Sequence, residues 1–474
     1  MAGTVDVAIN PMSTTPVLRD DDDQEHVELE TLGVDAGGGS DEETGEAPQS
    51  NQERSWWRTA IDFVGPGHVV AVGYMDPGNW ATDVQAGSYF GYSLLMVVLV
   101  SSVIAVVLQL LTLRLGIITG RDLAELQRDH LPRWASRALW VLAEACIIAT
   151  DLAEVIGGAL ALNLLFGLPL WAGVVITAAD VVLILMGLQK AMWLVELVIA
   201  ALVMTLFACF AFLIHASPNV DYTAIIMGYL PSAVLFTNAD AIFIGIGIIG
   251  ATVMPHNLYI VLCSYFHLII TIYNNRYLHS ALSRDHAKQH PKFKSLAVRW
   301  STIDISFTLF LAFIVNSSIL IVAAANFYAR CERNVEDIPN AYNLLAQHVS
   351  FAVATVFAVG LLLSGQSATI TGTLAGQVVA EGFLNWTIAP WLQRLCTRLM
   401  AVIPALIVVL AAGPESLNFL LVISQVILSL LLPFAMFPLI YFTSSKELMG
   451  EYVNHFVGTD VHLPPPFFYR IRLK

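Results

Sequence analysis

Charge is what this sequence has least of. Only 13% of its 474 residues are Asp, Glu, Lys or Arg, while 57% are apolar and the mean hydropathy is +0.69. A soluble domain carries about 25% charged residues, so the balance excludes an ordinary water-soluble globule and indicates a membrane bundle. Cysteine is sparse as well. The five (Cys146, Cys209, Cys263, Cys331 and Cys396) follow no spacing of a metal knuckle or a disulfide framework, which leaves them as packing residues. No basic stretch leads into an apolar run near the N-terminus, so no signal peptide is read there. Lys and Arg are missing altogether from residues 216–239. The net charge of −14 is local, since residues 1–54 hold fourteen acidic side chains against Arg19 and Arg54. That head has too little apolar content to fold and is expected to be a disordered acidic tail. No nucleic-acid partner, no resident cofactor and no enzymatic activity are expected.

What is present in abundance is apolar sequence. Ten segments, centred near residues 72, 102, 152, 180, 204, 250, 315, 362, 405 and 430, are each about long enough to cross a hydrocarbon core of ~30 Å as a helix. Lys and Arg cluster in alternate connections. Arg114, Arg121, Arg128, Arg133 and Arg137 lie between segments 2 and 3, and Arg276, Arg284, Lys288, Lys292, Lys294 and Arg299 between 6 and 7. Lys190 follows segment 4, and Arg394 and Arg398 precede segment 9. All are on the side of Arg54 and Arg58, whereas the opposite connections hold only Arg330 and Arg333. The positive-inside rule then places the N-terminus in the cytoplasm, with the lipid bilayer of a plasma, vacuolar or endosomal membrane as the chain's surroundings.

Two segments are interrupted. The first contains Asp76-Pro77-Gly78-Asn79 and the sixth Met254-Pro255-His256. Proline removes a backbone donor and clashes with the preceding turn, and such a break is tolerated at membrane depth only where protein or a cavity satisfies the freed carbonyls. Breaks in the first and sixth of ten helices correspond if residues 55–216 and 217–443 form two related five-helix halves. That pattern points to a secondary transporter of the inverted-repeat kind, with its binding site at the two breaks.

The residues at the breaks suggest what is bound. Asp76 is an anion in the middle of a span, a functional candidate by default, and Asn79 offers a neutral oxygen on the same face. Unwinding frees carbonyls near Gly73 and Ala251. Oxygen ligands alone suit a hard cation; the soft Met254 thioether shifts the preference toward Mn²⁺, Fe²⁺, Co²⁺ or Cd²⁺. A second group suggests protons. His256 follows Met254 by two residues, and Asp151 and Glu154, three apart, share one helix face. Buried carboxylates and histidines form the usual intramembrane proton relays, and Arg398 is a candidate counter-charge.

These residues bring a family with them. The chain resembles the Nramp family of proton-coupled divalent-metal transporters through Gly65-Pro66-Gly67, Asp76-Pro77-Gly78-Asn79, Ala149 to Gly158, and Gly250 to Asn257. The likeness continues through Ser364-Gly365-Gln366-Ser367, Gly372 to Gln377 and Ser424-Gln425-Val426. The resemblance implies the leucine-transporter fold and a metal held by Asp76, Asn79, Met254 and the Ala251 carbonyl. It adds the Gly73 carbonyl and Gln425 in some states, with Asn316 as a polar neighbour. It assigns proton movement to Asp76, Glu154 and His256, with Asp151 and Arg398 in the exit network. The expected function is proton-coupled transport of divalent transition-metal ions toward the cytoplasm. A sodium-coupled amino-acid carrier of the same fold and a non-transporting metal sensor are the alternatives.

Two stretches depart from the family pattern. The run from Ala241 to Ile272 is too long for one span and too short for two, and eighteen residues, Ile260 to Tyr277, separate Tyr259 from Leu278-His279-Ser280-Ala281-Leu282. This stretch reads as an anomalous insertion, of a length consistent with a retained intron. After residue 443 a C-terminal tail (444–474) contains no apolar span, so the family's eleventh helix is expected to be missing.

Overall fold

The computed structural model describes residues 67, 71, 73–188, 192–218, 220–259, 291–330, 337–384, 390–411 and 416–454. The acidic tail, the 260–277 stretch and residues 455–474 lie outside the described residues. Every regular element among those described is helical. The ten principal helices are α1 (Pro77–Phe90), α2 (Leu95–Thr119), α3 (Arg133–Phe166), α4 (Leu170–Leu188), α5 (Met192–Ala216), α6 (Ala239–Thr252), α7 (Pro291–Asn326), α8 (Phe351–Leu384), α9 (Pro390–Ala411) and α10 (Ser416–Thr443). Short helices at Leu123–His130, Tyr222–Gly228 and Ile338–His348 lie in the connections. Among the described residues, seven helices are long and apolar enough to span a membrane. Val103, Leu197, Phe310, Ile407 and Leu430 are all exposed on the outside of the bundle, a surface that fits lipid far better than water.

Both breaks appear where the prolines put them. α1 starts at Pro77, whose missing N–H costs nothing at the first helical position, and Asp76 caps it in extended geometry by accepting from the Asn79 backbone N–H. Gly73 to Met75 run as a turn between this helix and the helical Ala71. Gly67, on the far side of the break, donates its N–H to the Asp304 carboxylate of α7 at 2.8 Å. α6 ends at Thr252, the chain turns through residues 253–256, and helix resumes at 257–259, where Asn257, Leu258 and Tyr259 donate to the carbonyls of Met254, Pro255 and His256.

The packing follows an exchange of halves. α1 packs on α6, α2 on α7, α3 on α8 and α4 on α9, each helix on its counterpart five positions later. Other contacts come in matched pairs: α3 with α10 mirrors α8 with α5, and α2 with α10 mirrors α7 with α5. This is the signature of an inverted repeat. The exchange is broken most plainly at α10 among the described residues. α10 packs against both α1 and α6, and α5, its counterpart, makes no comparable contact with either among the described residues. Two glycines allow α10 in: a Cβ on Gly78 would collide with the Gln425 carboxamide, and one on Gly250 with the Gln425 backbone carbonyl.

The core beside the breaks is aromatic. Trp80 is fully buried, with its ring 5.1 Å from Phe210 of α5 and 4.8 Å from Phe357 of α8, distances at which tilted and edge-on pairs attract.

Gly250→Ala therefore forces a methyl into backbone that cannot rotate away, and overpacking of this kind costs about 1–3 kcal/mol. Thermal unfolding in detergent is expected to show the loss. Gly245→Ala, whose new Cβ would stand 3.2 Å from a mobile Leu235 methyl, is expected to cost much less. Equal stability of the Gly250 variant and the parent would contradict the close α6–α10 approach.

Candidate ion-binding site

One amide nitrogen organises the centre. Asn79 Nδ2 lies 2.7 Å from Asp76 Oδ1, 3.1 Å from the Ala251 carbonyl and 3.2 Å from the Tyr74 carbonyl. A carboxamide has two protons to donate, so three oxygens compete for them. The ring joins both broken helices, since Tyr74 and Asp76 belong to the first break and Ala251 to the last turn of α6. Asn316 of α7 braces it, donating to the Tyr74 carbonyl at 2.9 Å and to Asn79 Oδ1 at 3.3 Å. Asp76 Oδ2 has no hydrogen-bond partner although the residue is fully buried. That is an acceptor turned into a site with nothing from the protein to satisfy it, which is costly unless a cation or proton takes that place.

The other expected residues surround this ring. Met254 is buried in the turn directly after α6. Gln425 of α10 lies against Gly78 and keeps its carboxamide oxygen unpartnered. Gly73 packs against the Asn257 side chain, whose oxygen and nitrogen are both buried without partners. Among the described residues no three His, Cys, Asp or Glu side chains come together. The oxygens that converge are one carboxylate, backbone carbonyls and amides, a donor set that suits a divalent cation.

The second group forms a separate cluster on α3. His256 is buried, with Nδ1 3.4 Å from the Thr150 hydroxyl. One turn along α3, Arg398 of α9 donates to Glu154 at 2.8 Å and to Asp151 at 3.3 Å, all three being buried. Its other terminal nitrogen reaches the Thr177 carbonyl at 3.2 Å, and the Thr369 hydroxyl donates to Glu154 at 3.1 Å. Pro77 links the two clusters: it packs on Gly157 of α3, where a Cβ would collide with the proline ring. The sequence could place Asp151 and Glu154 on one face, but it could not show that a single guanidinium from α9 would serve both.

The model of the natural resistance-associated macrophage protein-like family matches residues 67–262 and 269–459. The chain belongs to the Nramp family. The chain is 48% identical over 403 residues to the "Divalent metal cation transporter MntH" of Listeria welshimeri, covering 84% of this chain and 85% of that one. It is 47% identical to the protein of the same name from Nostoc sp. over 410 residues, 86% and 88% of the two chains. Among solved structures, the manganese transporter of Eremococcus coleocola in complex with an aromatic bis-isothiourea compound superposes with a TM-score of 0.72. Its identity is 36%, over 85% of this chain and 83% of that one. Mhp1, a nucleobase-cation-symport-1 family transporter, aligns at a TM-score of 0.52 and 16% identity, over 76% and 74% of the two chains. That likeness concerns the fold alone and agrees with the leucine-transporter-type inverted repeat seen in the packing. The gap in the Nramp match, 263–268, falls inside the stretch that departs from the family pattern.

Three polar residues of this Nramp chain escaped the sequence reading. Tyr74 contributes its carbonyl to the ring, and its hydroxyl receives Gln109 Nε2 of α2 at 2.5 Å. Nothing in the sequence distinguishes one freed carbonyl of the break from its neighbour. Asn257 is a buried amide beside Gly73. Asp83 is a buried carboxylate on α1, and an acidic residue inside an apolar span was a legible signal.

Replacing Arg398 by Met leaves Asp151 and Glu154 buried without a counter-charge, a change that typically costs about 3–5 kcal/mol. Arg398→Met is expected to unfold at markedly lower temperature in detergent. Combining it with Asp151→Asn and Glu154→Gln is expected to recover much of the loss. No recovery in the triple variant would mean that the cluster is not held by its charges.

Proposed function

We propose that this Nramp protein carries divalent transition-metal ions of the Mn²⁺, Fe²⁺ and Cd²⁺ type toward the cytoplasm together with protons. The observation that carries the reading is the oxygen ring around Asn79 Nδ2, shared between the two broken helices and completed by a buried Asp76 oxygen with no partner. The relatives named above as divalent metal cation transporters and a manganese transporter support it.

In this reading the ion takes the place that the Asn79 amide protons now serve. Asp76, the Ala251 carbonyl, the Asn79 carboxamide oxygen and the Met254 sulfur hold it, and the Gly73 carbonyl and Gln425 join as the site changes its exposure. Rotating the Asn79 carboxamide exchanges a donor for an acceptor at the centre of the ring, so one side chain can satisfy Asp76 before the ion arrives and ligate the ion afterwards. Carboxylate and carbonyl oxygens bind Ca²⁺ and Mg²⁺ equally readily, and the thioether weights the choice toward softer metals. His256 and Glu154 receive the proton displaced as metal meets Asp76, and Asp151 passes it on beside the fixed positive charge of Arg398. The basic connections face the cytoplasm, the N-terminus with them, and the site opens alternately to the two sides.

Proteoliposomes supply the test. An acidic exterior is expected to stimulate Mn²⁺ uptake, and Asp76→Ala is expected to abolish it. Met254→Ala is expected to erode exclusion of Ca²⁺ by about tenfold, equivalent to ~1.4 kcal/mol, while slowing Mn²⁺ much less. Uptake independent of pH would remove the proton coupling, and an unchanged Ca²⁺ exclusion would remove the role of the sulfur.

A further inference from the structure

Asp83 has no place in the site just described, and its surroundings are unusual. The residue is fully buried, and neither carboxylate oxygen has a hydrogen-bond partner. A desolvated carboxylate is among the most costly groups to bury unless a cation or a proton offsets it.

Register locates it. Asn79, Asp83 and Gly87 are four residues apart and line one face of α1. On one side of Asp83, Asn79 Oδ1 receives the Asn316 amide. On the other, Gly87 lies so close to α7 that a Cβ there would stand 2.5 Å from the Leu320 carbonyl oxygen. Asp83 therefore faces the stretch of α7 between Asn316 and Leu320, where the buried Asn316 Oδ1 is itself unpartnered. No Lys, Arg or His lies on α1, α6, α8 or α10, all of which pack on α1. The basic residues of α7 (Lys292, Lys294 and Arg299) precede Asn316 by at least four turns. The basic residues of α3 nearest its start, Arg133 and Arg137, are on the cytoplasmic side in the proposed orientation. Arg330 and His348 belong to the elements that meet the far end of α1, where Tyr328 packs on Gly91. The other acid on α1's face is Asp76, of the same sign.

We propose that Asp83, with Asn316 Oδ1, forms an oxygen-only waystation that holds the divalent cation before Asp76 does. Seven residues at 1.5 Å each separate the two carboxylates, about 10 Å along α1, on the side of the central site away from the basic connections. Its ligands are hard and include no sulfur, so it concentrates divalent ions without choosing among them. Selection then belongs to Met254. The inference rests on the transport reading above and deepens it.

Initial rates of Mn²⁺ uptake by the full-length protein in proteoliposomes test it, with Ca²⁺ as competitor. Asp83→Asn is expected to raise KM for Mn²⁺ about tenfold while leaving the maximal rate within about twofold, the pattern of lost binding with intact turnover. The Ca²⁺ inhibition constant is expected to rise in parallel, and Asp83→Glu to bring both back to within about threefold of the parent. An Asn variant with the parent's KM would overturn the proposal, because the amide would then reproduce a neutral, packed carboxylic acid. So would a lower maximal rate at unchanged KM in both variants, the mark of a structural role. Absence of Mn²⁺ uptake by the parent protein defeats the transport reading itself and is told apart from either result. Should the Asn variant fail to accumulate, anomalous diffraction from Mn²⁺-soaked crystals of the parent decides. A second ion at Asp83 supports the waystation, and an ion at Asp76 alone overturns it.

Discussion

A carboxylate in the middle of a bilayer-spanning bundle must be solvated by the protein, and the centre of this molecule is arranged around that requirement. Asp76 gains a backbone N–H because Pro77 starts a helix immediately after it, and the positive end of that helix favours its charge. Breaking the helix to gain that end frees carbonyls, and these would be costly in hydrocarbon. Asn79 and Asn316 meet the Tyr74 carbonyl, and the Ser364 hydroxyl of α8 meets the Met75 carbonyl. The break, the anion and the polar side chains of α7 and α8 are therefore one solution, and removing any part leaves another part unsatisfied.

The near symmetry of the two halves gives the departure at α10 its meaning. An inverted repeat offers two equivalent ways for a flanking helix to lean on the broken pair, one for each half. Here α10 packs extensively on both broken helices, while α5 meets α1 through the Phe210–Trp80 ring contact and makes no comparable backbone approach to either among the described residues. A transporter that alternates must exchange such arrangements rather than deform continuously, because packed helices are bistable. The glycines at 78 and 250 make the approach of α10 possible by removing Cβ atoms where Gln425 sits. They set how near Gln425 can come to the ring.

The Arg398 cluster shows a different economy. One guanidinium with its several donors serves two carboxylates and a carbonyl, so a single positive charge is shared by two buried acids. Pro77 packed on Gly157 couples this cluster mechanically to the break, so that movement of one helix cannot leave the other cluster untouched.

Most of the architecture was legible because hydrocarbon permits so few solutions. Ten apolar segments became ten helices, and two prolines in corresponding segments became two breaks. Asp76, Asn79 and Ala251 met because their segments had to satisfy one another at the same depth. Asp83 was equally legible as an acid in an apolar span, but it carried no proline or sulfur beside it to draw attention.

The sequence by itself determined the class, the breaks and the chemistry on offer, since composition, proline and a lone thioether act locally and need no neighbour to have their effect. Tertiary structure decided which carbonyl turns inward, which arginine serves which acids, and which half's flanking helix rests on the site. Those depend on residues hundreds of positions apart meeting at a particular register, and side-chain identity alone leaves that register open.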